Sequence, residues 1–262
     1  MKAEFANMIR CKNCGVAGKL SEIEDGYSCG VCGEKYLVQD GYVDFLKIKK
    51  TRDTLAQKIM KWNPIVKIYE GKLWRNSGWE KKLFGISLAD EMKIIEEIQS
   101  TPSNAKSLDV ACGPGLYARM MARNSPGGCV IGFDYSPQML TIAVKYAKRD
   151  NLDNIMFMRG DAHKLQFPDN TFDGINCTGA LHLFHDVGLV LSEMNRVLKP
   201  GGKISIACGR RRKKGGLRPS EKMLSISTFD PVNLVKTFGD AGFDVEIKYA
   251  NNIWIILGGE KI

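Results

Sequence analysis

From residue 107 onward, short apolar runs alternate with amphipathic stretches, and this alternation constrains the fold more than any other feature of the chain. SLDVAC, CVIGFD, IMFMRGD, FDGINCT and KISIAC read as strands with little polar interruption. Between them, LYARMMARN, the stretch from Ser136-Pro137 to about Arg149, residues 186–198 and DPVNLVKTFGDAGF read as helices. Ser136 and Pro137 suit the cap and first position of a helix. Lys199-Pro200-Gly201-Gly202 stops the third helix and Gly242 the last. DVEIKYAN and WIILGG form a closing strand pair. Strands that are apolar on both faces belong to a parallel sheet covered by helices on both sides. The expected class is therefore α/β, a doubly wound and mostly parallel sheet.

In such a sheet a ligand sits beyond the carboxyl ends of the strands, at the topological switch point. The residues there are Asp109 to Gly115, then Asp134, Asp161 and Asn176-Cys177-Thr178. Gly113-x-Gly115-x-x-Ala118, followed by an acid about twenty residues on, fits a binder of an adenosine-containing cofactor. The glycines admit the ligand to the backbone, and the helix N-terminus faces its anionic part. The acid accepts hydrogen bonds from the ribose hydroxyls. Nicotinamide enzymes and other adenosine binders share this pattern.

The chain has eight cysteines. Cys11, Cys14, Cys29 and Cys32 form CKNC and CGVC pairs with fourteen residues between them. Each pair makes a knuckle, and two knuckles complete a tetrahedral thiolate site for a structural Zn²⁺. Gly15 and Gly33 follow the knuckles, where positive φ turns backbone N–H groups toward the sulfurs. Lys12, Lys19 and Lys35 lie near in sequence to offset the thiolate charge. A redox dithiol or a metal-free knuckle is the alternative. Loss of one cysteine is expected to damage this module and leave cofactor binding mostly intact. The next segment, YLVQDGYVDFL, alternates around Asp-Gly and reads as a hairpin. Cys112, Cys129 and Cys208 suit small core positions.

Three regions follow: a zinc-ribbon-like module over 1–46, a helical aromatic linker over 47–86 and the α/β domain over 87–262. Trp62, Trp74, Trp79, Tyr69 and Phe84 fall in the linker, where they serve as interdomain packing or as a lid over the site. The net charge is +9, and residues 199–222 hold nine basic side chains against one acid. Most of these lie in GRRRKKGGLRPS, the loop 209–220 after the fifth strand. That loop is either a solvated surface segment or one placed to meet an acceptor. No apolar run reaches the roughly 18 residues that cross a bilayer, and the N-terminus lacks an apolar signal core. A soluble, cytoplasmic protein is expected.

LDVACGPGLYARMMA, FDYSPQML, GDAHKLQFPDNTFDGI, ALHLFHD and EMNRVLKPGGKI together resemble the class I S-adenosylmethionine-dependent methyltransferases. The nearest group is the methyltransferase-11 type that includes the ubiquinone and menaquinone C-methyltransferases. The resemblance runs from about Ser87 to the C-terminus. The paired cysteines followed by DGYVDFL resemble a small zinc module ahead of some such enzymes, and ribosomal RNA guanine methyltransferases carry a similar one.

The resemblance implies a seven-stranded Rossmann-like sheet with an antiparallel C-terminal hairpin. It implies S-adenosylmethionine as cofactor and S-adenosylhomocysteine as product. Asp109, Ala111, Gly113 and Gly115 match the motif around the methionine part. Ala111 stands where the family often has glycine, which alanine tolerates at negative φ. Asp134 matches the ribose acid, with Tyr135 and Met139 beside the adenine. Asp161 matches the acceptor of the adenine amino group, with Ala162 offering its backbone N–H. Tyr69, Cys177 and His182 are assigned to the cofactor surroundings, and His182 and His185 are the nearest candidates for a base. The plainer alternatives are a helix-end partner for Asp109, a turn former before His163 for Asp161, and solvated loop histidines. The implied reaction is in-line transfer of a methyl group to a small-molecule acceptor. The runner-up is a ribosomal RNA base methyltransferase that docks RNA through the zinc module and the basic loop. Against it, residues 1–60 carry ten basic and eight acidic side chains, a near balance. The sequence leaves oligomeric state open.

Overall fold

The computed structural model describes residues 3–46, 85–211 and 228–262. Tyr69, the three linker tryptophans, Phe84 and most of the basic loop lie outside those residues.

The α/β region begins with α2 (Leu88–Ile98), β5 (Lys106–Val110), α3 (Leu116–Asn124), β6 (Cys129–Asp134), α4 (Pro137–Arg149) and β7 (Ile155–Arg159). It continues with β8 (Phe172–Thr178), α5 (Val187–Val197), β9 (Leu198–Gly209), α6 (Pro231–Asp240), β10 (Phe243–Ala250) and β11 (Trp254–Lys261). These strands lie in the order β7-β6-β5-β8-β9-β11-β10. β5 to β9 are mutually parallel, and β11 runs antiparallel to both β9 and β10. The expected doubly wound sheet with its antiparallel closing pair is thus present.

The helix starts follow from their caps. Ser136 Oγ accepts from Met139 N at 3.4 Å, with Pro137 in the first turn. Asp186 Oδ1 accepts from Leu189 N at 2.9 Å, and Asp230 caps α6 ahead of Pro231. These acceptors satisfy amides that a helix leaves unpaired at its start. α2 had no counterpart in the sequence reading. It is capped by Ser87, whose Oγ accepts from Asp90 N at 3.1 Å.

The N-terminal region contributes α1 (Ala3–Asn7), β1 (Leu20–Ile23), β2 (Gly26–Cys29), β3 (Lys35–Gln39) and β4 (Tyr42–Asp44). β3 and β4 form the expected hairpin. Its turn residues Asp40 and Gly41 have φ of 47° and 88°, which matches the right-handed strand twist. β4 does more than close a hairpin. It runs parallel to β7, with Val43 opposite Met158 and Asp44 opposite Arg159. The module and the α/β region therefore share one sheet of eleven strands. They also share a core: Phe5, Met8, Ile9 and Phe45 pack in one cluster with Cys129, Phe133 and Met158. No sequence signal pointed to this fusion, because a three-residue strand paired across more than a hundred positions leaves no local pattern.

Candidate cofactor pocket and cysteine cluster

Parallel pairing brings the carboxyl ends of β5, β6, β7 and β8 side by side. Asp109, near the end of β5, is buried. Its Oδ2 accepts from Ala118 N at 2.9 Å and its Oδ1 from Asn176 Nδ2 at 2.7 Å. A buried carboxyl with few charged partners favours its neutral form. Burial pushes the Asp109 pKa up to about 7, against the pull of its bonds to Asn176 and Ala118. Asn176 is itself held by Ser205 Oγ at 2.8 Å, and Ser205 by Gln99 Nε2 at 2.8 Å. This polar chain threads the middle of the sheet and fixes where the loop after β5 begins. Asp109 thus performs the helix-end role set out above as its plainer alternative.

The loop itself is tightly wound. Gly113 and Gly115 have φ of 53° and 78°, and Ala111 has φ of 55°. The condition under which alanine is tolerated, a negative φ, is not met at Ala111: the turn places this residue in the left-handed region, where a Cβ is strained. At Gly113 an added Cβ would meet nothing within 4 Å among the described residues, which leave this side of the loop open. At Gly115 it would lie 3.0 Å from the Phe157 ring and 3.1 Å from Ala143, a tight fit that together with the positive φ favours glycine at the start of α3.

Asp134 closes the other side of the loop. Its Oδ2 accepts from Gly113 N at 2.8 Å and its Oδ1 from Ser136 N at 2.7 Å. Two backbone amides hold the carboxylate in one orientation beside the glycine turn. Tyr135 is half-buried next to it and Met139 is buried on the first turn of α4. Asp161 follows β7. Its Oδ1 accepts from His163 N at 3.0 Å and pairs with His163 Nδ1 at 2.7 Å. Burial opposes ionisation there, but His163 holds the carboxyl below its ordinary range. Ala162 is buried.

Beyond β8, Cys177 lies wholly inside the core, and burial pushes its thiol well up. It builds the wall of this region and presents no surface. His182 sits in a short 3₁₀ turn, Leu181–Leu183, with its ring edge-on to Trp254 at 6.2 Å. Its Nδ1 is buried without a partner among the described residues, and burial lowers its pKa to about 4. His185 is exposed and stacks on His163, the ring centroids 3.9 Å apart. The chain's three histidines all follow β7 and β8, which are consecutive in sequence but separated in the sheet by β6 and β5. His163 was not singled out as a site residue, and Asn176 was read only as a strand-end residue with no assigned role. An asparagine inside the apolar strand FDGINCT was the available signal, since a buried amide requires partners.

At the N-terminal end of the sheet's far edge, the four cysteine sulfurs all lie within 4.8 Å of one another. Cys11 Sγ and Cys32 Sγ are 3.6 Å apart, and Cys14 Sγ and Cys29 Sγ 3.7 Å. Four sulfurs about 2.3 Å from a tetrahedral zinc stand about 3.8 Å from each other, so the set fits that ion. Gly15 and Gly33 have φ of 75° and 72°, as the knuckles require. The N–H groups of Asn13 and Cys14 face Cys11, that of Val16 faces Cys14, and that of Glu34 faces Cys32. Lys12 Nζ donates to Phe45 O at 3.1 Å.

Comparison with known proteins gives a consistent picture. Residues 108–206 match the methyltransferase-11 family, described as a methyltransferase domain. A demethylmenaquinone methyltransferase of Staphylococcus carnosus is 32% identical over 157 residues, 60% of this chain and 57% of that protein. One from Listeria welshimeri is 41% identical over 99 residues, 37% of this chain and 42% of that protein. The chain thus spans about half the length of the curated relatives it matches. A SAM-dependent methyltransferase structure from Aquifex aeolicus has a TM-score of 0.60 at 20% identity, covering 75% of this chain and 97% of that one. A Haemonchus contortus phosphoethanolamine N-methyltransferase in complex with S-adenosyl-L-methionine has a TM-score of 0.62 at 18% identity, covering 76% of this chain and 57% of that one.

Proposed function

We propose that this chain, which carries a class I S-adenosylmethionine-dependent methyltransferase domain, transfers a methyl group to a small-molecule acceptor. The observation that carries the reading is the Asp134 carboxylate, fixed by Gly113 N and Ser136 N beside the glycine turn after β5. There it can accept both hydroxyls of a ribose while the open face at Gly113 admits the rest of the nucleoside. Tyr135 and Met139 would flank the adenine, and Asp161 with the Ala162 N–H would address its edge. When bound, S-adenosylmethionine supplies an already activated methyl on a sulfonium.

The protein's part is alignment and exclusion of water, since in-line transfer needs the acceptor atom, methyl and sulfur on one axis. Asp109 serves by holding the loop from below. His182 and His185 border the acceptor side. His182 is neutral in its buried setting, and a pKa lowered to about 4 makes it a weak base toward an acceptor's proton. The two curated relatives are named demethylmenaquinone methyltransferases, which favours a small metabolite over RNA. Of the basic loop, Gly209, Arg210 and Arg211 are among the described residues.

The same proposal includes one structural Zn²⁺ on Cys11, Cys14, Cys29 and Cys32. Four thiolates leave no position for substrate, so this metal shapes the module only. It also includes a cytoplasmic location, supported by four buried core thiols and four cysteines grouped as thiolate ligands, a usage that reducing compartments maintain. None of the described helices is long and apolar enough to cross a membrane.

Calorimetry tests the cofactor. The wild type should bind S-adenosylhomocysteine, and Asp134→Ala should lose about 2–3 kcal/mol, roughly 30- to 150-fold in affinity. Tight binding of a nicotinamide dinucleotide with none of S-adenosylmethionine would overturn the reading.

A further inference from the structure

The contact between the cysteine module and the α/β region converges on the cofactor acid. Arg159, at the end of β7, is buried beneath the Asp134–Tyr135 turn. Its Nη1 donates to Asp44 Oδ2 at 2.9 Å and its Nε to Tyr135 O at 3.2 Å. Both side chains of the ion pair are about nine-tenths buried, at 11% and 8% exposure. Asp44 is in turn fixed by Leu46 N, which donates to its Oδ1 at 2.8 Å. The neighbouring backbone follows the same route: Phe45 N donates to Arg159 O at 3.0 Å, and Gly160 N to Asp134 O at 3.0 Å.

Beyond this pair, the hairpin tip presses on the helix that follows the acid. Thr141 Oγ1 donates to Asp40 Oδ2 at 3.0 Å, and Gly41 abuts Val144 so closely that a Cβ would come within 2.7 Å. The module therefore reaches the turn that carries Asp134 through Arg159 and directly touches the helix that begins just after it. A solubilising or substrate-docking appendage needs neither contact.

We propose that the N-terminal module is a built-in clamp for the cofactor pocket, in which Asp44 acts through Arg159 as a positioning residue for the Asp134–Tyr135 turn. The inference rests on the functional reading above for the identity of the ligand, though not for the mechanical link. Asp44 and Arg159 touch no reacting atom. Asp44 neutralises and aims the guanidinium, and the guanidinium pins the Tyr135 carbonyl. With that carbonyl fixed, the Asp134 carboxylate faces the glycine turn before any ligand arrives, so less ordering remains to be done on binding. Arginine suits the task because its planar fork addresses two acceptors at once, which an ammonium at the end of a flexible stem cannot do.

Two variants of the full chain separate positioning from plain stability. Arg159→Lys keeps a cation beside Asp44 but cannot also hold Tyr135 O. It should melt close to the wild type yet bind S-adenosylhomocysteine about 2- to 30-fold more weakly, the range seen when coupling to a site is altered. Asp44→Asn should lower both melting temperature and affinity. Amide exchange measured without ligand supplies a readout independent of binding. The Gly113 and Ser136 amides, which donate to Asp134, should exchange faster in both variants. Should Asp44→Asn fail to fold, Arg159→Lys decides alone. Wild-type affinity and unchanged exchange at these two amides in Arg159→Lys would overturn the clamp while leaving the functional reading intact. A wild type that binds neither S-adenosylmethionine nor S-adenosylhomocysteine would overturn that reading, and the exchange data would still decide the clamp.

Discussion

Ala111 and Asp109 show how single residues of the loop carry its strain and its charge. Ala111 holds φ of 55°, and a Cβ in the left-handed region costs about 1–2 kcal/mol. Such strain collects where a loop must bring its backbone close to a ligand. Ala111→Gly removes that cost but adds about 0.4–1 kcal/mol of unfolded-chain entropy. A thermal melt should therefore show a gain between zero and about 1.6 kcal/mol; a clear loss would mean that the Ala111 methyl packs productively. Asp109 makes a pH prediction. Its carboxyl is neutral in the fold up to about pH 7, while its ordinary value is 3.8. A raised carboxyl pKa means stability that is fully present below the unfolded value and lost as the pH rises through about 7. His182 works in the opposite direction: with its pKa lowered to about 4 from 6.5, it contributes stability at neutral pH that is lost on acidification across that window. Comparing wild type with Asp109→Asn isolates the aspartate. In urea titrations the wild type should be the more stable at pH 4.5, and its lead should shrink by pH 8. A lead that does not change with pH would mean that Asp109 is ionised throughout.

At the level of elements, what the sequence made legible was what local chemistry decides. The caps at Ser136, Asp186 and Asp230, the Asp-Gly turn of the β3–β4 hairpin and the unbroken apolar strands are set by residues within a few positions of each other. So were the glycine turn, Asp134 and the two cysteine knuckles, because each needs fixed residue types at fixed spacing. α2 carried a readable signal in Ser87 and Asp90 but no strand before it to anchor the alternation. β4 pairing with β7 was not legible, since its partner is set by burial and not by neighbours. The same holds for Arg159 and Asp44. Each looks like a strand-end polar residue in sequence and becomes meaningful only when the sheet edge brings them together. The sign of φ at Ala111 was lost for a related reason: an alanine does not announce a left-handed turn, and only the closed loop imposes it.

For the molecule as a whole, the shared sheet changes what loss of the metal site should do. Read from the sequence, a broken knuckle spares the rest of the chain. In the fold, the knuckle is wired inward: Cys11 Sγ lies 3.1 Å from Tyr36 Oη, and Tyr36 stacks on Phe45 with ring centroids 4.2 Å apart. Phe45 and Met158 belong to one core, and β4 covers the edge of β7. Uncovering that edge would leave a row of unpaired backbone groups and apolar side chains in water. A ligand that binds only the native state stabilises everything that unfolds with its site. Freshly purified protein should hold about one zinc per chain, and its absence from unchelated protein would reject the metal. With zinc present, chelation or Cys29→Ser should move the whole chain to a lower melting temperature in a single transition, followed equally by near-ultraviolet and far-ultraviolet dichroism. S-adenosylhomocysteine should then raise that one transition in both metal states, by less in the chelated protein. Two separated transitions, with only the smaller shifted by chelation, would show that residues 1–46 unfold alone despite the continuous sheet.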